Sequence, residues 1–169
     1  MSGGARLAPV WLLLLALNAC GTVPIYNPAG CVYDATTDQR AMVFNFRTRW
    51  MSFQDKRSAN VDSTSEFGGY FHSCSDSSYY CLSGPLSIVI PVIIHGHEWR
   101  HGGISCKARM LSAADSYEIV CRDSYGRETS VDYSPQHGVS SIRQLDKQDN
   151  TKFVLRGDCG IFCERRLAK

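Results

Sequence analysis

The stretch that decides the fold runs from residue 104 to residue 133 and reads ISCKARMLSAADSYEIVCRDSYGRETSVDY. Apolar and polar side chains alternate on both sides of the turn-like segment 112–115, as they do in two half-buried strands. A turn there makes every facing residue on one side of the hairpin apolar, and a slip of one residue would turn this apolar set to solvent. The predicted facing pairs are Cys106 with Cys121, Ala108 with Ile119, and Met110 with Tyr117.

A second turn extends this hairpin into a three-stranded meander. Residues 124–126 can form a three-residue loop in which Gly126 supplies the positive φ that such loops require. On the polar side of the first hairpin, Arg109 faces Glu118 and forms a favourable cross-strand charge pair. The facing pairs predicted across the second turn are Ile119 with Val131, Tyr117 with Tyr133, and Cys121 with Thr129.

The rest of the chain also favours strands, and no segment has the pattern of a helix of three turns or more. Residues 44–50 alternate between aromatic and polar side chains, as in a strand, whereas the polar segment 52–66 is typical of a loop. The β-branched run 86–94 indicates a buried strand, although Pro91 inside it favours an edge or a break. We therefore predict an all-β fold, a small disulfide-stabilised antiparallel sheet arranged as a meander, sandwich or open barrel. Further strands are expected at 139–145 and 152–156, after a turn at Pro135 and Gly138.

Eight cysteines indicate an oxidising compartment, because their spacings do not form the paired CxxC motifs of a zinc ribbon. Directly facing cysteines of an antiparallel pair lie within disulfide range. The predicted bridges are Cys106–Cys121, Cys74–Cys81 and Cys159–Cys163. Cys31 lies outside this scheme, and the sequence leaves open whether it bonds to Cys159 or Cys163 instead or forms an intermolecular bond.

The N-terminal segment has the three parts of a secretory signal, and it is predicted to end at residue 19. Arg6 supplies the positive charge, and the apolar core 7–17 is about half the length that a bilayer-spanning helix needs. Residues 20–30, which contain prolines and glycines, are expected to be a tether. A single β-rich domain is expected over 31–169. The chain carries 18 basic and 16 acidic residues, a balance that gives no electrostatic reason to expect nucleic acid as a partner.

The end of this signal, Leu17-Asn18-Ala19-Cys20, resembles the lipobox of bacterial lipoproteins, with an aliphatic residue at −3 and a small residue before the cysteine. The resemblance implies a diacylglycerol on the thiol of Cys20 and cleavage that makes this cysteine the N-terminus. Several acyl chains, as in this family, give stable anchoring to a membrane. Asn18 departs from the small or hydroxyl residue that is usual there. Gly21 after the cysteine implies sorting to the outer membrane, facing the periplasm, because aspartate is the family's retention signal.

Residues 97–101, HEWRH, match the HExxH motif of zinc peptidases. In those enzymes a helix places both histidines on the metal and the glutamate activates the bound water, which here would assign His97 and His101 as ligands and Glu98 as base. Glycines on both sides of the motif and Pro91 upstream disfavour a helix. We therefore expect a loop and the start of a strand running from Trp99 into the hairpin, with exposed histidines and no catalytic site. The alternatives are the zinc peptidase and a zinc or copper site formed by His95, His97 and His101 from a loop or strand.

Three functions are compatible with these features. The first is an envelope lipoprotein, anchored through Cys20, that binds another envelope or secreted protein, as inhibitors and immunity proteins do. The second is the zinc peptidase, and the third is a structural subunit of an envelope assembly. Tyrosine among serine and glycine is the composition of many recognition loops, although the same rings could complete a thin core. The aromatic residues concerned are Tyr70, Phe71, His72, Tyr79 and Tyr80.

Overall fold

In the part of the chain that the computed structural model describes, there are twelve β-strands and no helix. Within that part of the chain, no helix is long and apolar enough to cross a bilayer. The predicted signal, Cys20 and most of the predicted tether lie outside the described residues. The described residues are 30–63, 65, 67–74, 76–113, 115–144 and 150–163.

Ten of the strands form one antiparallel sheet and the other two form a separate hairpin. The order across the large sheet is β4-β3-β2-β1-β12-β11-β10-β9-β8-β7. Two meanders therefore meet where β1 pairs with β12. The separate hairpin is formed by β5 and β6. The all-β, antiparallel fold class is therefore confirmed. The strand bounds are β1 Gly30–Ala35, β2 Arg40–Asn45, β3 Trp50–Asp55, β4 Gly68–Tyr70, β5 Tyr79–Leu82, β6 Ile88–Pro91, β7 Glu98–His101, β8 Ile104–Met110, β9 Tyr117–Arg122, β10 Glu128–Ser134, β11 Gly138–Gln144 and β12 Lys152–Leu155.

Strands β8, β9 and β10 are the predicted meander, in the predicted register. Cys106 faces Cys121, Ile119 faces both Ala108 and Val131, and the two turns fall where expected. Gly126 has the expected positive φ of 79°. The buried face ends sooner than predicted, because the side chain of Met110, at the end of β8, is 62% exposed.

The prediction of one strand over 44–50 is wrong, because the chain turns between β2 and β3. The side-chain oxygen of Asn45 accepts hydrogen bonds from the backbone N–H groups of Arg47 and Thr48, which closes a turn. Arg49 completes the turn with a φ of 55°. The loop predicted over 52–66 therefore begins later, after β3 ends at Asp55.

Three other predicted boundaries shift for local reasons. Gly30, assigned to the tether, begins β1 and pairs with Asn45. The run expected from Trp99 into the hairpin is divided between β7 and β8 by a two-residue turn. Gly102 and Gly103 have φ values of 57° and 80°, the left-handed conformation that a tight hairpin turn needs. Pro91 is the last residue of β6, as expected of a residue that has no N–H to donate within a sheet.

The main core lies between one face of the large sheet and the β5–β6 hairpin. Ile88 and Ile90 of β6 are buried, and the indole N–H of Trp99 donates a 2.7 Å hydrogen bond to the carbonyl of Val89, which fixes the hairpin to β7. The largest fully buried side chains are Tyr33, Phe44, Met42, Met51, Leu82, Leu86, Ile88, Ile90, Ile119, Ile142 and Ile161.

Three disulfides join Cys74 to Cys81, Cys106 to Cys121, and Cys159 to Cys163, the same pairs that the sequence predicts. Their Cα atoms are 5.2, 4.1 and 5.5 Å apart, respectively. The buried Cys31 lies outside these bridges, with its Sγ 3.8 Å from the carbonyl oxygen of Cys159. The bond from Cys31 to Cys159 or Cys163 that the sequence left open is not formed, because the latter two are joined to each other.

Candidate functional site

The connection between β3 and β4 folds back over the face of the sheet that is opposite the main core. Val61 in this connection packs on Val43 of β2 in a small second apolar cluster. The side-chain amide of Asn45 donates a 2.9 Å hydrogen bond to the carbonyl of Val61. Arg156, the residue after β12, donates hydrogen bonds from its guanidinium to the carbonyls of Lys56 and Ala59. These contacts hold the connection at a fixed place above β2 and β3.

Beside this connection, three neighbouring strands align an aromatic pair on the same face. Trp50 of β3 lies directly between Asn45 of β2 and Tyr70 of β4. The rings of Trp50 and Tyr70 meet edge to face, with centroids 4.7 Å apart, an arrangement that aromatic quadrupoles favour. Gly68 on β4 leaves room for the indole, since a Cβ atom at that position would lie 2.8 Å from Nε1 of Trp50.

The aromatic pair and the connection enclose a cleft of about 310 Å³, which we call the aromatic cleft. The Tyr70 side chain is 67% exposed. Asp62 brings a carboxylate to the rim. The cleft is lined by Val43, Asn45, Thr48, Trp50, Ser52, Val61, Asp62, Ser63, Ser65 and Tyr70.

The aromatic segment that the sequence singled out is divided by the fold. Tyr70 lines the aromatic cleft, but the neighbouring Phe71 is buried in the main core. Tyr79 stacks on His101 and Tyr80 stacks on Phe162, so both rings pack against the core. His72 is exposed and pairs through its backbone with Ser83.

Sequence reasoning missed Trp50 as the main surface of the cleft. Alternation predicts one strand over 44–50, and it therefore does not identify Trp50 as the first residue of a new strand facing Tyr70. The Gly68-Gly69-Tyr70 sequence was the available signal, since glycines in a short strand often mark a close approach.

Comparison of the chain with models of protein families, with characterised proteins and with solved structures finds no match. The arrangement of the residues themselves must therefore support any functional argument. The aromatic cleft can bind a ligand through ring contacts and through hydrogen bonds at its rim.

The HExxH residues lie on and before a strand, and the helix that zinc peptidases use is not formed. Glu98 to His101 form β7, and the backbone carbonyl of the preceding His97 accepts a hydrogen bond from Ala108. Residues four apart on extended backbone are separated by about 13 Å, which is too far for His97 and His101 to bind the same metal ion. Glu98 instead makes a 2.8 Å ion pair with Lys107, and this hydrogen bond and charge lower the pKa of Glu98.

The alternative site made of three histidines is not brought together either. His95 and His97 are exposed in the connection before β7, whereas His101 is half-buried against Tyr79. Among the described residues, the group of three donors that could hold a metal ion combines His101 with Cys74 and Cys81. No sequence pattern indicates this juxtaposition, because the three residues come from separate strands and loops.

Proposed function

We propose that the chain is a lipoprotein of the bacterial envelope, anchored through Cys20, that acts by binding another protein. The resemblance of residues 17–20 to a lipobox supports the anchor. The three disulfides support an oxidising compartment such as the periplasm, because such bridges are rare in a reducing cytosol.

The observation that carries the binding function is the exposure of aromatic side chains at the aromatic cleft. Tryptophan and tyrosine contribute large contact areas to protein interfaces and are enriched among the residues that dominate affinity. Trp50 and Tyr70 lie on adjacent strands, so their positions are fixed before a partner arrives. A surface that is already ordered loses little entropy on binding. The carboxylate of Asp62 and the hydroxyl groups at the rim would supply polar contacts around this centre.

The geometry of residues 97–101 supports a protein that is not a peptidase. A metal-assisted base must lie beside a metal-bound water molecule. Glu98 instead forms a surface ion pair with Lys107, and His97 and His101 are too far apart to bind the same ion. Replacing Glu98 with Gln is therefore expected to leave every activity of the protein unchanged, including partner binding. A loss of peptide hydrolysis in the Glu98→Gln variant would contradict this proposal.

Site-specific photo-crosslinking in cells tests the binding proposal. A photoreactive phenylalanine analogue at position 70 is expected to form a covalent adduct with a defined protein, and the Trp50→Ala change should lower the yield at least about fivefold, because hot-spot truncations cost about 1–2 kcal/mol or more. Position 125 is the matched control, since Tyr125 is 85% exposed on the β9–β10 turn and lies outside the cleft. Equal crosslinking from positions 70 and 125, or no effect of Trp50→Ala, would refute the assignment of the cleft.

Mass spectrometry of the mature N-terminus tests the anchor separately. We expect the mature chain to begin at Cys20, to carry a diacylglycerol on its thiol, and to fractionate with the outer membrane. The Cys20→Ser variant should carry no diacylglycerol, since the thiol of this residue is the attachment point. A chain found in the cytosol with residues 1–19 intact would refute this part of the proposal.

A further inference from the structure

The Cys74–Cys81 disulfide lies beside a histidine that comes from a different part of the chain. The turn between β7 and β8 places His101 next to this bridge, and the two sulfur atoms and one ring nitrogen of the histidine all lie within 4.8 Å of one another. The ring of Tyr79 stacks on His101 at a centroid distance of 4.5 Å, which holds the imidazole in place. The carboxylate of Asp76 lies 3.9 Å from Nδ1 of His101 and adds a negative charge to the group.

Two cysteine sulfurs and one imidazole are three of the four ligands of many zinc sites. In a tetrahedral site with zinc–sulfur distances of about 2.3 Å and zinc–nitrogen distances of about 2.0 Å, donor atoms are about 3.3–3.8 Å apart. The sulfurs of a bridge, about 2.0 Å apart, must part by about 1.7 Å to reach this spacing, and the imidazole nitrogen must approach them by at most about 1.3 Å. Rotation about side-chain bonds can supply both movements, because the Cα atoms of Cys74 and Cys81 are 5.2 Å apart.

We propose that Cys74, Cys81 and His101 form a zinc site when the Cys74–Cys81 bridge is reduced, with water as the fourth ligand and Asp76 beside the imidazole. The bridge and the metal then exclude each other, and the oxidised protein does not bind the ion. This site is independent of the aromatic cleft and of the proposed binding function.

The reduction is a thiol–disulfide exchange with a dithiol. One thiolate of the dithiol attacks a sulfur of the bridge, the sulfur–sulfur bond breaks, and a mixed disulfide forms. The second thiol of the donor then displaces the other cysteine, so the donor leaves as a disulfide and Cys74 and Cys81 gain two electrons and two protons. Binding of Zn²⁺ releases those two thiol protons, because thiolates are the ligands.

Of the three bridges, Cys74–Cys81 is the most accessible to a reductant. Cys74 is half-buried in a loop at the surface, so a dithiol can reach it. Cys106 and Cys121 are 1% and 0% exposed in the main core. Cys159 and Cys163 are also buried, at 6% and 0%. Thiol–disulfide exchange requires access to the attacked sulfur, so reduction should begin at Cys74.

Alkylation mapping of the wild-type chain tests the first step without any substitution. The full chain is treated with a limiting amount of a phosphine reductant under native conditions, and its thiols are alkylated and located by mass spectrometry. We expect Cys74 and Cys81 to be labelled before any other bridged cysteine. Earlier labelling of Cys106 and Cys121, or of Cys159 and Cys163, would overturn the proposal.

Metal titration tests the site itself, with the chain purified without a histidine tag. The selectively reduced chain should bind about one equivalent of Zn²⁺, and Co²⁺ should give the thiolate charge-transfer absorption of a two-sulfur site, whereas the oxidised chain should bind less than about 0.2 equivalents. The His101→Gln change should weaken zinc binding at least about tenfold, and His97→Gln, in the same sequence motif, should leave it unchanged. Less than about 0.2 equivalents in the reduced wild-type chain, or equal affinities of the two variants, would overturn the proposal.

Discussion

The removal of one hydroxyl group, in the Tyr33→Phe variant, is expected to destabilise the whole domain. Tyr33 lies on β1 and its side chain is fully buried. Its hydroxyl donates a 2.9 Å hydrogen bond to the carbonyl of Val139 and accepts a 2.9 Å hydrogen bond from the backbone N–H of Ile161. This one side chain therefore links the first strand, β11 and the Cys159–Cys163 loop.

The expected cost follows from the groups that lose a partner. Leaving a buried donor or acceptor unsatisfied costs about 1–3 kcal/mol, and the N–H of Ile161 and the carbonyl of Val139 both lose the hydroxyl. No water molecule can replace that oxygen readily, because the backbone at Gly160 packs tightly there: a Cβ atom at Gly160 would lie 2.8 Å from the hydroxyl oxygen. We expect the free energy of unfolding to fall by about 2–4 kcal/mol. For a chain of this size, such a decrease lowers Tm by about 6–12 °C.

Chemical denaturation and calorimetry of the oxidised protein measure this change. Tyr125→Phe is the matched control, because it removes a hydroxyl from a residue that is 85% exposed and should alter stability by less than about 0.5 kcal/mol. Hydrogen exchange should also accelerate at the amide of Ile161, which loses its acceptor. A decrease in the free energy of unfolding of less than about 0.5 kcal/mol in Tyr33→Phe would refute the reasoning. It would mean that water can replace both hydrogen bonds of the hydroxyl group.

Three further predictions concern acid stability, packing and the loop beside the cleft. Burial alone would raise the pKa of Asp123, but hydrogen bonds to its carboxylate outweigh this effect and lower the pKa. The stabilisation by this carboxylate is therefore present above about pH 4 and is lost as the pH falls through the lower pKa of the folded state. The Asp123→Asn change should flatten the loss of unfolding free energy below pH 4, and an unchanged slope would contradict this prediction. A Cβ atom at Gly160 would lie 1.9 Å from a backbone carbonyl, so Gly160→Ala should cost at least about 2 kcal/mol in denaturant unfolding, whereas Gly96→Ala, with open space around it, should cost less than about 0.5 kcal/mol. Arg156 holds the backbone of the β3–β4 connection, so Arg156→Ala should accelerate tryptic cleavage after residues 56–57 at least about threefold, and gel analysis showing equal rates would rule out that role.

The meander of β8, β9 and β10 was predictable from sequence because three independent patterns agree there. Alternation selects the buried face, the positions of the turns select the register, and the charge pair of Arg109 with Glu118 lies on the opposite side. In the structure Arg109 and Glu118 face each other and form this ion pair. A register error would have to break all three patterns at once, and local consistency of this kind is what makes a fold predictable.

The segment 44–50 was not predictable by the same argument, although it alternates just as regularly. Two backbone hydrogen bonds to the Asn45 side chain decide the turn, and such bonds compete with strand formation wherever asparagine occurs. Alternation alone does not distinguish an asparagine within a strand from one that ends it. The pairing of β1 with β12 was also beyond the sequence, because contacts between distant segments leave no mark in a local pattern.

His101 shows why the candidate sites were harder to predict than the strands. The HExxH spacing has a chemical meaning only on a helix, where residues four apart share a face within one turn. On extended backbone the same spacing separates His97 from His101. The neighbours of His101 are determined instead by the elements that pack against the end of β7. Those elements carry Cys74 and Cys81, which the sequence assigned only to a structural bridge. A motif therefore predicts chemistry only as far as its secondary structure is known, and in a β protein the donors that share a site come from strands and loops that no spacing in the sequence connects.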